Sequence, residues 1–177
     1  DMGVPVFSSD EAVHELYRHE AVAPIERLFP GVARSGEIDR EELTRRLIEH
    51  PDRLKEVEAI VHPLVRNQIA YFFKAADGRG EPLAVADIPL LFEGGFDYDL
   101  DAVVVTVVGE AMQRQRALQR PGMTVEKLDA ILARQLPQEE KRRRATFVLD
   151  TSAPIEQTRD KVKSLVEHLQ SRPPGNR

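Results

Sequence analysis

Cysteine is absent from this chain. Without thiols the protein can form no disulfide bond, and it has no thiolate for a metal site or for nucleophilic catalysis. This absence fits a reducing compartment, so we expect a cytoplasmic protein. Long apolar runs are missing as well: no window approaches eighteen consecutive apolar residues, the length that a membrane-spanning helix requires. We therefore expect no membrane partner.

The chain also lacks an excess of positive charge. Its formal net charge is -5, which disfavours a protein that binds nucleic acid or another polyanion through charge alone. Apolar residues make up 41% and charged residues 31%, the balance of an ordinary globular protein. A chain of 177 residues can bury a substantial core, and we expect one domain over residues 1–177.

Short apolar segments alternate with helical patterns along the chain. Strands are predicted over residues 4–7, 82–87, 102–108 and 146–149. The two middle segments are almost continuously apolar, as is typical of parallel strands that are covered on both faces. Alternation of such strands with helices predicts an α/β fold, a three-layer αβα sandwich with a parallel sheet.

Three local signals mark helix boundaries and the end of the chain. Asp39 and Glu42 have the spacing of a capping box, which predicts a helix start. Pro63 interrupts a long apolar stripe, so we expect a kink or a break there, with His62 pushed away from helical geometry. Residues 172–177 read as a frayed tail.

Acidic side chains follow two of the predicted strands. Asp10 lies just beyond the first strand, and Asp87 ends the second. Ligands of open parallel sheets bind beyond the carboxyl ends of the strands. Asp87 could orient a hydrated Mg²⁺ ion or a substrate hydroxyl there. The structural alternatives are a helix N-cap for Asp10 and a turn residue for Asp87.

A basic segment extends over residues 110–144. It contains nine Lys or Arg residues against five Asp or Glu residues. Such charges are often a solvated helix face. Arg116 and Arg120, however, are four residues apart and are expected to share one helix face, and guanidinium groups suit phosphate. Two Arg-rich helices joined by a glycine-containing turn at residues 120–124 favour a lid over an anionic ligand.

Histidine offers one further candidate. His62 lies beside the predicted kink, where a single histidine is usually structural. The other histidines have no metal-ligand spacing, so we predict no metal site built from protein ligands alone.

Four segments, in this order and spacing, resemble the dephospho-CoA kinase family of P-loop nucleotide kinases. They are GVPVFSSDEAVHELY (3–17), the segment 36–66 with its His-Pro pair, ADIPLLFEGG (86–95), and RQLPQEEKRRRATFVLDTS (134–152). The resemblance implies that Mg²⁺ and ATP are used to phosphorylate the ribose 3′-hydroxyl of dephospho-CoA, the last step of coenzyme A biosynthesis. We also expect a monomer or a weak homo-oligomer and, because of the net charge of -5, no nucleic-acid partner.

The resemblance assigns roles to particular residues. Asp10 would orient the acceptor hydroxyl or take its proton, Asp87 would hold the Mg²⁺ hydration shell, and Arg116 and Arg120 would neutralise phosphates. The acceptor side would include residues 20–76 and the lid residues 110–144. Acceptor-binding residues would be His62, Arg66, Leu91 and Glu93, and nucleotide-binding residues would be Lys141, Asp150 and Ser152.

Some positions depart from the family pattern. Ser8 stands where the first of two aspartates is usual, and Thr146 and Asp150 stand where Asp and Asn are commonest. The motif G-x-x-x-x-G-K-[ST], which cradles ATP phosphates, does not occur. We therefore expect the parent protein to carry about 20 further residues before Gly3, enough for a strand, the loop and most of a helix. The chain as written is expected to fold poorly and to turn over little ATP.

Two alternatives remain open at this point. The chain could belong to another nucleotide or nucleoside kinase with the same sheet and lid, or it could be a non-catalytic remnant that binds coenzyme A. The retained acidic pair and the Arg-rich segment favour a kinase, because a binding module has less need of them.

Overall fold

The computed structural model describes residues 2–171. Asp1 and the predicted tail at 172–177 lie outside the described residues. The chain divides into two compact units, Gly3–Pro89 and Leu90–Arg177. None of the helices within residues 2–171 is long and apolar enough to cross a membrane.

The first unit combines four α-helices and a short 3-10 helix (Pro51–Arg53) with two short strand pairs. Its elements in chain order are β1 (Val6–Ser8), α1 (Ser9–Leu16), α2 (Val22–Leu28), β2 (Ala33–Arg34), β3 (Glu37–Ile38), α3 (Arg40–Glu49), α4 (Leu54–Gly78) and β4 (Val85–Asp87). Strands β1 and β4 pair in parallel, with Ser8 beside Asp87. Strands β2 and β3 form an antiparallel hairpin.

Helix α4 supplies the core of this unit. Its buried side chains, Val57, Val61, Val65 and Ile69, recur every four residues and form one face. That face packs against α1 and α2. Each fully buried aliphatic side chain contributes about 1.5–3 kcal/mol, so this stripe holds the helices together. The start of α1 is thereby fixed beside the end of β1.

Pro63 does not break α4. The helix is continuous from Leu54 to Gly78, so the predicted break and the non-helical geometry of His62 are both wrong. Proline removes one backbone hydrogen bond and costs about 3 kcal/mol in a helix interior. The buried apolar stripe on both sides of Pro63 outweighs that cost, because it must stay on one face to pack against α1 and α2.

The second unit contains the remaining elements. They are β5 (Val104–Val107), α5 (Glu110–Leu118), α6 (Val125–Leu132), α7 (Gln138–Arg144), β6 (Phe147–Asp150) and α8 (Ile155–Gln170). Strands β5 and β6 pair in parallel, with Val107 beside Asp150. Helix α8 packs against β6, where the rings of Phe147 and His168 form a T-shaped pair with 5.8 Å between centroids.

Each predicted strand is present, with its ends shifted by no more than three residues. Both parallel pairs agree with the predicted α/β class. The β2–β3 hairpin was not predicted, because its strands have only two residues each. Ser35 and Gly36 form its turn with φ angles of 52° and 86°, the left-handed geometry of a type I′ turn. The Ser-Gly pair was the available signal.

Candidate active site

Asp10 and Asp87 lie at the same edge of the β1–β4 pair. Asp87 is the last residue of β4, in register with Ser8 at the end of β1. Helix α1 begins at Ser9, so Asp10 stands two residues beyond Ser8, in the first helical turn. Both carboxylates are exposed. Neither accepts a hydrogen bond or forms an ion pair within residues 2–171, so both are available to a ligand at this edge.

The N-cap of α1 is Ser8, so the interpretation of Asp10 as a helix cap is wrong. The Ser8 hydroxyl accepts a hydrogen bond from the Glu11 backbone N–H at 3.3 Å. The spacing of Ser8 and Glu11 matches a capping box and could have revealed this from the sequence. Because Ser8 caps the helix, the carboxylate of Asp10 is not needed for that purpose.

Helix α4 carries His62 and Arg66 one turn apart. Each follows a buried valine of the core stripe, Val61 and Val65, so the two side chains lie beside that stripe. His62 is exposed and Arg66 is half-buried. The structure thus brings these two predicted acceptor residues together, on the helix that packs against the helix of Asp10.

In the second unit, Glu93 and Lys141 bind each other. Lys141 Nζ lies 2.8 Å from Glu93 Oε1, and both side chains are largely buried. The Leu136 N–H donates to the same oxygen at 2.9 Å. Burial raises the pKa of Glu93, but the hydrogen bonds from Lys141 and from Leu136 outweigh it and leave that pKa below its usual value. Glu93 was predicted on the acceptor side and Lys141 on the nucleotide side.

Leu91 lines a cavity of about 280 Å³ in the same unit. Aromatic and aliphatic side chains form most of its wall, with two charged groups, and the other lining residues are Phe92, Gly95, Phe96, Asp97, Tyr98, Leu100, Val103 and Arg144. The lining suits an apolar or aromatic group with a polar edge.

Arg116 and Arg120 do not share a helix face. Helix α5 ends at Leu118, so Arg120 lies in the following turn and that prediction is wrong. Pro121 cannot continue the helix, and Gly122 takes a φ of 73°. The Arg116 guanidinium donates to the carbonyl of Thr151 at 2.9 Å. Arg116 therefore reaches the loop after β6, which contains the predicted nucleotide residue Ser152.

That loop is ordered by its own hydrogen bonds. Asp150 Oδ1 accepts from the Ser152 N–H at 2.8 Å, and Lys161 Nζ donates to the Asp150 carbonyl at 3.0 Å. The hydrogen bonds from Ser152 lower the pKa of Asp150, and the charge of Lys161 adds to this effect. The Thr151 hydroxyl donates to the Val107 carbonyl at 3.0 Å. Asp150, at the paired end of β6, and Ser152, just beyond it, are thus held together.

Thr146 has a structural role that the sequence did not reveal. Its hydroxyl accepts a hydrogen bond from the Val103 N–H at 3.0 Å, just before β5 begins. An aspartate carboxylate can accept the same hydrogen bond. Thr146 therefore preserves this contact, although aspartate is the commonest residue here in the resembled family. Within residues 2–171, no group of three or more His, Asp or Glu side chains is placed to hold a metal ion.

Comparison with known proteins gives consistent relatives. The family described as dephospho-CoA kinase matches residues 1–157. A dephospho-CoA kinase of Rhizobium meliloti (strain 1021) is 48% identical over 171 residues, 97% of this chain and 88% of the relative. One from Brucella melitensis biotype 1 is 46% identical over 173 residues, 98% of this chain and 86% of the relative.

Solved structures agree with these relatives. The crystal structure of TT1252 from Thermus thermophilus superposes with a TM-score of 0.74 at 33% identity, over 94% of this chain and 85% of that one. A dephospho-CoA kinase from Campylobacter jejuni has a TM-score of 0.73 at 22% identity, over 96% of this chain and 86% of that one, and supports the fold alone. The matched family and the identity to its members show that this chain belongs to the dephospho-CoA kinase family.

Proposed function

We propose that the protein transfers the γ-phosphate of ATP to the ribose 3′-hydroxyl of dephospho-CoA and so completes coenzyme A. Membership of the family supports the reaction. The observation that carries the assignment of residues is a pair of exposed carboxylates, Asp10 and Asp87, at one edge of β1 and β4, neither of which has a partner within residues 2–171. Phosphoryl transfer depends on positioning and charge neutralisation, which two fixed acids at a strand edge can supply.

Asp10 aligns the acceptor hydroxyl. A ribose hydroxyl is too weak an acid to ionise before it attacks, so a carboxylate beside it acts first by orienting it. The proton passes to Asp10 late, as the new bond to phosphorus forms. The position of Asp10 in the first turn of α1 suits this role, because packing of α1 on α4 fixes the backbone that carries it.

Asp87 fits a role toward hydrated Mg²⁺. Its carboxylate is a hard oxygen ligand, is exposed, and has no partner within residues 2–171 that would compete. A Mg²⁺ ion bound with ATP would neutralise charge on the phosphates. Asp87 would orient the water shell of that ion while the nucleotide phosphates hold the ion itself.

The basic segment acts on the nucleotide side of this proposal. Arg116 and Arg120 neutralise phosphates, and Asp150, at the end of β6, and Ser152, in the following loop, lie beside the base. Arg116 supports this grouping, because it donates to that loop at Thr151. His62, Arg66 and Leu91 serve the acceptor.

The setting of the protein is part of the same proposal. It is a cytoplasmic enzyme that acts as a monomer or a weak homo-oligomer, without a nucleic-acid partner. The absence of cysteine and the net charge of -5 support this setting.

An acceptor panel tests the reaction. The full-length gene product is incubated with Mg²⁺ and ATP, and ADP release is followed with dephospho-CoA, adenosine or AMP as acceptor. We expect kcat/KM for dephospho-CoA to exceed the others by about 100-fold or more, because the pantetheine arm adds binding energy. Faster turnover of adenosine or AMP would instead support a different nucleotide or nucleoside kinase. Calorimetric binding of coenzyme A without any ADP release would support the non-catalytic alternative.

A further inference from the structure

Glu93 joins two segments of the second unit that are distant in sequence. Its Oε1 accepts from Lys141 Nζ at 2.8 Å and from the Leu136 N–H at 2.9 Å. Only 13% of the Glu93 side chain and 16% of the Lys141 side chain are exposed. One carboxylate oxygen therefore holds both the turn before α7 and a side chain within α7.

Two further contacts hold α7 in the same place. Gln138 Nε2, at the start of the helix, donates to the Val108 carbonyl just after β5 at 3.1 Å. At its end, the Arg144 guanidinium lies 5.9 Å from the ring centroid of Phe92, the neighbour of Glu93. The residues from Leu136 to Arg144 are thus anchored to β5 and to the turn that contains Glu93.

The other two helices of the predicted lid have a different attachment. Arg114 of α5 binds Asp129 of α6 through an Nη1–Oδ1 contact of 2.7 Å, so these helices are joined to each other. The predicted lid over residues 110–144 therefore contains a helix pair and a separately anchored helix, α7.

This geometry leaves Glu93 poorly placed to bind a substrate. Its Oε1 is already occupied by two donors. Its Oε2 is buried and has no hydrogen-bond partner within the described part of the chain. A carboxylate that recognises an acceptor needs an oxygen that the acceptor can reach.

We infer that Glu93 is a positioning residue, which holds Lys141 and helix α7 in place for the nucleotide phosphates instead of touching the acceptor. The inference rests on the proposed function, because Lys141 can serve phosphates only if the protein binds ATP. It also assigns α7 to the fixed part of the second unit.

Amide hydrogen exchange without ligands tests the anchor. The variants are Glu93→Gln, Lys141→Met and the double variant, each made in the full-length gene product. The Glu93→Gln substitution would keep an acceptor for the Leu136 N–H but would leave the Lys141 charge buried without a counterion. We expect α7 amides to exchange about 10- to 100-fold faster in each single variant. In the double variant the increase in exchange rate should be smaller than the two single effects combined.

A matched control comes from the same helix. Glu139 and Arg142 form an ion pair of 3.4 Å with exposed side chains. Glu139→Gln and Arg142→Met should change exchange in α7 by about twofold or less, because exposed ion pairs contribute little. If variants of the buried pair and of the exposed pair changed α7 exchange equally, the inference that Glu93 and Lys141 anchor α7 would be overturned.

Kinetics test the positioning role. For Glu93→Gln we expect the KM for ATP to rise about 10-fold, a loss typical of one misplaced charged contact, with the KM for dephospho-CoA within twofold of wild type. Lys141→Arg keeps the positive charge, so its KM for ATP should rise less than that of Lys141→Met. A rise in the KM for dephospho-CoA alone, with α7 exchange unchanged, would show that Glu93 touches the acceptor. Faster exchange with unchanged kinetics would show that the pair is only structural.

The two hypotheses fail in different ways. If wild-type protein does not phosphorylate dephospho-CoA but α7 exchange responds as expected, the proposed function and the role toward phosphates are both overturned, while the anchor stands. If wild-type protein is active and Glu93→Gln leaves exchange and both KM values unchanged, the proposed function stands and the inference about Glu93 is overturned.

Discussion

Replacement of Asp87 by Asn separates a functional carboxylate from a structural one. Asp87 is exposed at the end of β4 and has no hydrogen bond or ion pair within residues 2–171. Asn has nearly the same shape, so β4 keeps its pairing with β1. The substitution removes one negative charge and little else.

The expected effects on stability and on activity differ greatly in size. Surface substitutions without partners change the free energy of unfolding by about 0.5 kcal/mol or less. Asp87 lies in register with Ser8, about 4.8 Å across the strand pair, and Asp10 is two residues further on. Relief of repulsion between two exposed carboxylates at that range stabilises by less than about 1 kcal/mol. Loss of a preorganised electrostatic contact in catalysis lowers kcat by about 10²- to 10³-fold.

The assay combines urea unfolding with initial rates at saturating ATP, dephospho-CoA and Mg²⁺. Asp10→Asn should also keep its stability and lose about 10²- to 10⁴-fold in kcat, since it removes the group that accepts the proton. Asp101→Asn, at an exposed position in the second unit, is the control and should leave both quantities unchanged. An Asp87→Asn variant with kcat within threefold of wild type would refute the reasoning.

Two further predictions concern stability in the first unit. Pro63→Ala should restore a donor for the Ala59 carbonyl in α4 and raise the free energy of unfolding by about 2 kcal/mol. This figure already subtracts the stabilisation that proline gives by restricting the unfolded chain. An unchanged or lower Tm would contradict this prediction. Hydrogen bonds from Arg45 and then from Arg46 lower the pKa of Glu42 to about 2. The stabilisation from Glu42 is therefore complete above pH 4.5 and is lost as the pH falls toward about 2. In urea unfolding, Glu42→Gln should be less stable than wild type at pH 7, and the difference should shrink over that interval.

Strands and helix starts were predictable because their signals are local. The apolar run that contains Val104–Val107 indicated a covered parallel strand, and the structure pairs it in parallel with β6. The Asp39–Glu42 spacing indicated a helix start, and Asp39 Oδ1 does accept from the Glu42 N–H at 3.0 Å. In both cases the residues that determine the element lie within a few positions of each other.

The errors arose where distant packing or a neighbouring turn overrode a local rule. Pro63 predicts a break on its own, but the buried stripe of α4 keeps the helix whole. Arg120 has helical spacing from Arg116, but the Pro-Gly pair that follows ends α5 first.

The contact between Glu93 and Lys141 could not be predicted from the sequence. The two residues lie in different segments, and no local periodicity connects them. Resemblance to a family placed them near different ligands, whereas the structure places them 2.8 Å apart. Contacts of this kind depend on how the segments pack, which spacing alone does not determine.

The position of the transferred phosphate tests the central claim most directly. Dephospho-CoA, Mg²⁺ and ATP are incubated with the full-length gene product, and the reaction product is examined by phosphorus and proton NMR together with the amount of ADP released. The account predicts one new phosphate, on the ribose 3′-oxygen, for each ADP formed. A phosphate at any other oxygen, or ADP release without a phosphorylated acceptor, would contradict it.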